Sequence, residues 1–115
     1  MTDAQRWLPL KPETFEILLA MAEEAVHGYA ILKALDARGV PVAASLLYRK
    51  IRRLMEDGLV SKTAVPADLS PDDPRRRYYT LTAAGRAVVQ AEASRIVELA
   101  SSRRIRRLTE EVDHA

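Results

Sequence analysis

Arginines at 49, 52 and 53, with Ser45 and Tyr48 just ahead of them, form a compact set of chemically active side chains. A guanidinium can fork two hydrogen bonds to guanine O6 and N7, or grip a phosphate, so a row of them suits recognition of a polyanion. At about 100° per residue, Ser45, Arg49, Arg52 and Arg53 share one side of a helix. Leu47, Ile51, Leu54 and Met55 fall within an arc of roughly 100° on the other side, which is the expected core face. Tyr48 and Lys50 flank the two edges, and a tyrosine there can bury its ring while its hydroxyl emerges. A second cationic cluster, Arg75, Arg76 and Arg77, follows a loop that carries Asp72 and Asp73.

Other chemistries find no support. The chain has no cysteine and two isolated histidines, which leaves no thiolate, disulfide or structural zinc site. No nucleophile motif, phosphate loop or paired carboxylates appear, so neither an enzyme nor a cofactor is expected. The longest apolar run, residues 17–22, is too short to span a bilayer. No secretory signal is visible in MTDAQRW, and the cytoplasm is the expected location. The net charge of +2 is unevenly spread. Residues 1–44 hold four Lys/Arg against six Asp/Glu, residues 45–77 hold eight against five, and residues 78–115 hold six against five. The basic excess thus sits in the middle third, where the arginine rows are.

At 115 residues, 48% of them apolar, the chain fits one domain with a modest core. A first helix is expected from Pro12, with Phe15, Leu18, Leu19 and Ala22 recurring at helical spacing, to Glu24 or Ala25. A second starts near Gly28, with Tyr29, Ile31, Leu32 and Leu35 apolar, and closes at Arg38-Gly39. His27 reads as a structural group at its start. The arginine-bearing third helix opens at Ala44 or Ser45 and stops at Gly58. Residues 59–65 and 76–81 read as two strands around a proline- and aspartate-rich loop, with at least one of Tyr78 and Tyr79 in the core. Thr82 then caps a long fourth helix, in which Gly85 permits close packing. Val89, Ala93, Ile96 and Ala100 line one stripe of it, flanked by Val97 and Leu99. Beyond Ser101-Ser102 the apolar set shifts to Ile105, Leu108 and Val112, about 100–160° away, so a bend, fraying or new partner surface is expected there. Trp7 either covers a groove between subunits or belongs to a loose flank.

Three helices, a hairpin and a long helix make the expected fold mainly α with a small β-hairpin, a winged helix-turn-helix followed by a long C-terminal dimerisation helix. The expected organisation is a flank at 1–10, a DNA-binding domain at 11–82 and the dimerisation helix at 83–115. Its exposed stripe argues for a homodimer, since monomers seldom leave large apolar patches open; folding back onto its own domain is the alternative. The expected seam is Val89, Ala93, Ile96, Val97, Leu99 and Ala100.

The segments LLAMAEEAVHGYAILKAL, LLYRKIRRLMEDGLV and DPRRRYYTLTAAGR stand in the order and spacing seen in PadR-like transcriptional regulators, which residues 10–100 resemble. His27-Gly28-Tyr29, the Leu47-Tyr48 pair and Leu81-Thr82-x-x-Gly85 carry the likeness most closely. The resemblance implies a winged helix, a dimerisation helix of the small subgroup, and repression relieved by a small-molecule effector of unknown identity. By matching positions it puts Tyr48, Arg49, Arg52 and Arg53 against double-stranded DNA, with Arg75, Arg76 and Arg77 on the wing. Ser45, near the helix start, joins them as a candidate for a base edge or phosphate. Where many members have Gly-Thr-Leu-Tyr, this chain has Ser45-Leu46-Leu47-Tyr48. A winged helix used for protein–protein contact is the alternative function.

Overall fold

The computed structural model describes residues 3–22, 26–63 and 77–113. A 3-10 turn at Asp3–Trp7 precedes α1 (Pro12–Ala20), β1 (Val26–His27), α2 (Gly28–Ala37), α3 (Ala44–Glu56), β2 (Val60–Thr63), β3 (Tyr78–Leu81), α4 (Ala83–Ala100) and α5 (Arg103–Asp113). Helices α1 to α3 and the first half of α4 close around one core. Ile17, Leu18, Ile31, Leu35, Leu47, Ile51 and Val88 are all buried in it. Each such side chain contributes about 1.5–3 kcal/mol by leaving water, so the α3 arc of Leu47, Ile51 and Leu54 fixes which side that helix shows to solvent.

Helix ends follow local chemistry. Pro12 starts α1, where a missing N–H costs nothing. Gly39 and Gly58 take φ of +76° and +79°, the left-handed turn that ends α2 and α3. After them the Val40 N–H reaches the Leu35 carbonyl at 2.9 Å and the Leu59 N–H reaches Leu54 at 3.0 Å. Thr82 organises the entry to α4. Its hydroxyl accepts from the Gly85 N–H at 3.0 Å and donates to the Gly58 carbonyl at 2.6 Å. A Cβ at Gly85 would lie 2.0 Å from the Leu59 carbonyl oxygen, so only glycine lets α4 sit this close to the strand.

Three expectations are corrected. Helix α1 ends at Ala20, short of Glu24, because Met21 turns inward to become buried core and caps the helix with its own N–H. The hairpin is part of a three-stranded antiparallel sheet of order β1-β3-β2, in which Val26 faces Tyr79 and His27 faces Tyr78. A two-residue strand is too short to leave a pattern in sequence. The long C-terminal helix is two helices. The Ser101 N–H closes α4 onto the Val97 carbonyl at 2.9 Å, and the Ser102 hydroxyl accepts from the Ile105 N–H at 3.4 Å to open α5. The bend expected at this serine pair is therefore a break with its own cap on each side.

Trp7 packs half-buried against the core, with the Arg6 guanidinium 5.0 Å from its ring centre. The segment after it is tied down by Glu92, a carboxylate buried in α4. Glu92 accepts from the Leu10 N–H and is hydrogen-bonded to the Arg95 guanidinium. Burial pushes the Glu92 carboxyl up, but those two hydrogen bonds and the arginine charge outweigh it and hold it below the usual carboxylate range.

Candidate nucleic-acid interface

Helix α3 presents the face its sequence demands. Leu47, Ile51 and Leu54 are buried while Ser45, Tyr48, Arg49, Arg52 and Arg53 are exposed on the outside. The structure divides the arginines in a way sequence does not show. Arg53 lies 3.5 Å from Asp57, one turn on, and so carries a partner. Arg49 and Arg52 have no carboxylate partner among the described residues, and their charge faces solvent. Lys50 points to the other edge, 3.6 Å from Glu13 of α1, where it ties two helices together and is withdrawn from the outer face.

Tyr48 is seated by α2. A Cβ built on Gly28 would lie 2.5 Å from the Tyr48 hydroxyl oxygen and 2.8 Å from its Cζ, so the bare Cα of Gly28 is the floor on which the ring rests. The ring is still 44% exposed, with its hydroxyl end beside the start of α2. His27 caps that helix, its Nδ1 accepting from the Ala30 N–H at 3.1 Å, and its ring meets Tyr78 edge-on at 5.4 Å. The structural reading of His27 holds. Both Tyr78 and Tyr79 are buried.

Between α3, the start of α2 and the sheet runs an open cleft of about 520 Å³. Arg52 enters it from α3, Lys62 from β2 and Arg77 from the start of β3, with Tyr29 and Tyr48 at its edge. Arg77 is exposed, so the structure brings one member of the wing cluster beside the α3 row. Arg75 and Arg76 lie outside the described residues. Lys62 was not singled out from sequence. One lysine in a strand is ordinary surface chemistry, and only the sheet's position against α3 gives it two cationic neighbours.

The expected subunit seam is split. Val89 is buried in the core of its own chain, and Ala93 is half-buried. Ile96, Val97, Leu99 and Ala100 lie further along, where α4 has left the domain, and are open to solvent; Val97 is 64% exposed. Among the described residues no group of side chains could hold a metal ion, and no helix is long and apolar enough to cross a membrane.

Residues 17–91 match the family described as the transcriptional regulator PadR-like family. The chain is 34% identical over 84 residues to the transcriptional regulator Rv3488 of Mycobacterium tuberculosis, covering 73% of this chain and 75% of that one. Its fold is similar to that of a PadR-like transcription factor from Bacteroides fragilis, with a TM-score of 0.61 and 27% identity over 88% of this chain and 86% of the other. It is also similar to Bacillus subtilis PadR, solved in complex with operator DNA, with a TM-score of 0.59 and 17% identity over 72% of this chain and 47% of that one. That second likeness is one of fold.

Proposed function

Because the chain belongs to the transcriptional regulator PadR-like family, a family of transcription factors and not of enzymes, we propose that it binds double-stranded DNA as a homodimer on an inverted repeat. The outer face of α3 carries the reading: Arg49 and Arg52 are exposed and, among the described residues, without carboxylate partners, opposite the buried Leu47, Ile51 and Leu54. A helix so presented fits a major groove about 12 Å wide, whose walls are phosphate. Arg49 and Arg52 take base edges or phosphates, Ser45 a contact at the helix start, Tyr48 a phosphate through its hydroxyl, and Arg53 a weaker contact shared with Asp57. The wing, with Arg75, Arg76 and Arg77, clamps the flanking backbone. The complex of Bacillus subtilis PadR with operator DNA supports this use of the fold.

In this proposal residues 11–82 form the DNA-binding unit and 83–115 the dimerising one, with the exposed part of α4 as seam. Two-fold pairing sets the two α3 helices roughly 34 Å apart, one turn of DNA. The outcome is repression, relieved by a small molecule that changes the angle between subunits and thereby the half-site spacing. The test is footprinting on genomic fragments, including the region upstream of the protein's own gene, across a salt series. Protected sites with a log–log salt slope of several units support phosphate contacts from two subunits. A purified dimer that protects no fragment would leave protein–protein contact as the better reading.

A further inference from the structure

The open cleft between α3, the start of α2 and the sheet is larger than a DNA contact requires. A duplex can lay single phosphates on such a surface but cannot enter it. The volume of about 520 Å³ lies in the range of small-molecule pockets, about 300–1,000 Å³. Its lining is of two kinds. Arg52, Lys62 and Arg77, all exposed, bring three cations from α3, β2 and the start of β3, and no carboxylate lines the cleft among the described residues. Deeper in, the lining is apolar: Ile51 and Tyr79 are buried and Met55 is half-buried. Tyr48 adds a half-exposed ring at the edge, seated on Gly28. Burial raises the pKa of the Tyr79 hydroxyl, Tyr48 adds to that rise and Arg77 opposes it. The hydroxyl therefore stays protonated at neutral pH, close enough to Tyr48 and Arg77 to feel both.

We propose that this cleft is a ligand site for a flat ring carrying a phosphate monoester, the chemistry of a nucleoside 5′-monophosphate. Charge selects the head group. A phosphate monoester carries about −1.5 to −2 at neutral pH and presents three acceptor oxygens, one for each cation. A carboxylate has a single charge and two oxygens, and would leave one cation unmatched. The deeper lining selects the body. A planar ring lies against the Tyr48 ring and covers Ile51, Met55 and the Tyr79 ring, all of which are indifferent to which base it is. A free nucleotide brings ring and phosphate into the cleft together, whereas duplex DNA keeps its bases inside the stack. The ligand engages Tyr48 and Arg52, which the reading above also assigns to DNA, so nucleotide and operator exclude each other. That competition rests on the DNA-binding reading; the site itself does not.

Calorimetric titration of the full chain, free of DNA, with each of the common ribonucleoside 5′-monophosphates tests the site. Ribose 5-phosphate and inorganic phosphate serve as controls at constant ionic strength, because any polyanion site responds to salt. At least one nucleotide is expected to bind about tenfold more tightly than ribose 5-phosphate, the gain from stacking a ring. Lys62→Gln should weaken that nucleotide about tenfold while leaving the circular dichroism spectrum unchanged. Nucleotides that all bind no better than ribose 5-phosphate would overturn the ring site. Undiminished nucleotide binding by Lys62→Gln would overturn its placement in this cleft. In titrations of labelled operator, the apparent Kd should rise in proportion to nucleotide concentration without levelling off. A plateau would mean that nucleotide and operator bind together, away from each other, and would overturn the competition. Nucleotide binding by a chain that protects no DNA fragment would sink the DNA reading and leave the site standing. Protected fragments with no nucleotide bound would do the reverse.

Discussion

Three side chains of the same type stand on one face of α3, yet the structure makes them unequal. Among the described residues Arg49 and Arg52 have no carboxylate partner, whereas Arg53 already leans on Asp57 at 3.5 Å. Alanine at 49 or 52 is expected to cost about 1–3 kcal/mol of operator affinity, or to lower the salt slope by about one unit if the lost contact is a phosphate. Arg53→Ala should cost less than either, as titrations of labelled operator at fixed salt would show. Tyr48 depends on a neighbour with no side chain. Gly28→Ala puts a methyl where the Tyr48 hydroxyl end lies, and since the ring is half exposed it can swing away. The expected result is weaker DNA binding with little change in melting temperature. A large loss of stability would mean the ring is clamped and not merely seated.

At the level of elements, the joint between hairpin and α4 concentrates the stability of the domain's edge. Gly85→Ala forces a Cβ into a backbone carbonyl, which cannot move as a flexible side chain would. It should destabilise the fold by about 2 kcal/mol or more, and Thr82→Ala by about 1–2 kcal/mol through the lost cap, both readable by urea denaturation. The N-terminal segment is held to α4 by Glu92. Its carboxyl is held below its ordinary value, so the stability it lends is fully present above the unfolded value of about 4.3. That contribution fades as the pH falls through this range and then through the lower folded value. Trp7 is the sole tryptophan, so its emission reports the release of this segment in acid. Glu92→Gln should flatten that acid transition, and an identical acid midpoint in the two proteins would contradict the assignment.

For the molecule as a whole, shape decides which surface is left over. The chain measures 53 × 36 × 27 Å, and α4 from Ile96 onward and all described side chains of α5 are exposed. Val97 and Leu99, both more than half exposed, are expected to be covered by a second subunit. Val97→Asp with Leu99→Asp should yield a folded monomer by sedimentation. That monomer should bind a full inverted repeat at least about a hundredfold more weakly, since the two half-sites no longer share one binding event. Undiminished operator affinity in a proven monomer would detach DNA binding from dimerisation.

The sequence alone determined the winged-helix layout, because it lies in local patterns. The α3 arc of Leu47, Ile51 and Leu54, the glycines at 39 and 58 and the cap at Thr82 each act within a few residues of themselves. It also determined which face of α3 carries charge, since burying the arc leaves the arginines no other side. Tertiary structure decided what depends on residues distant in the chain: β1 beside β3, Lys50 drawn to Glu13, Tyr48 resting on Gly28, and Lys62 joining Arg52 and Arg77. It also turned Val89 inward and separated α5 from α4. Periodicity tells how a helix divides its faces but not which neighbour covers each one, and that choice is made only when the elements pack.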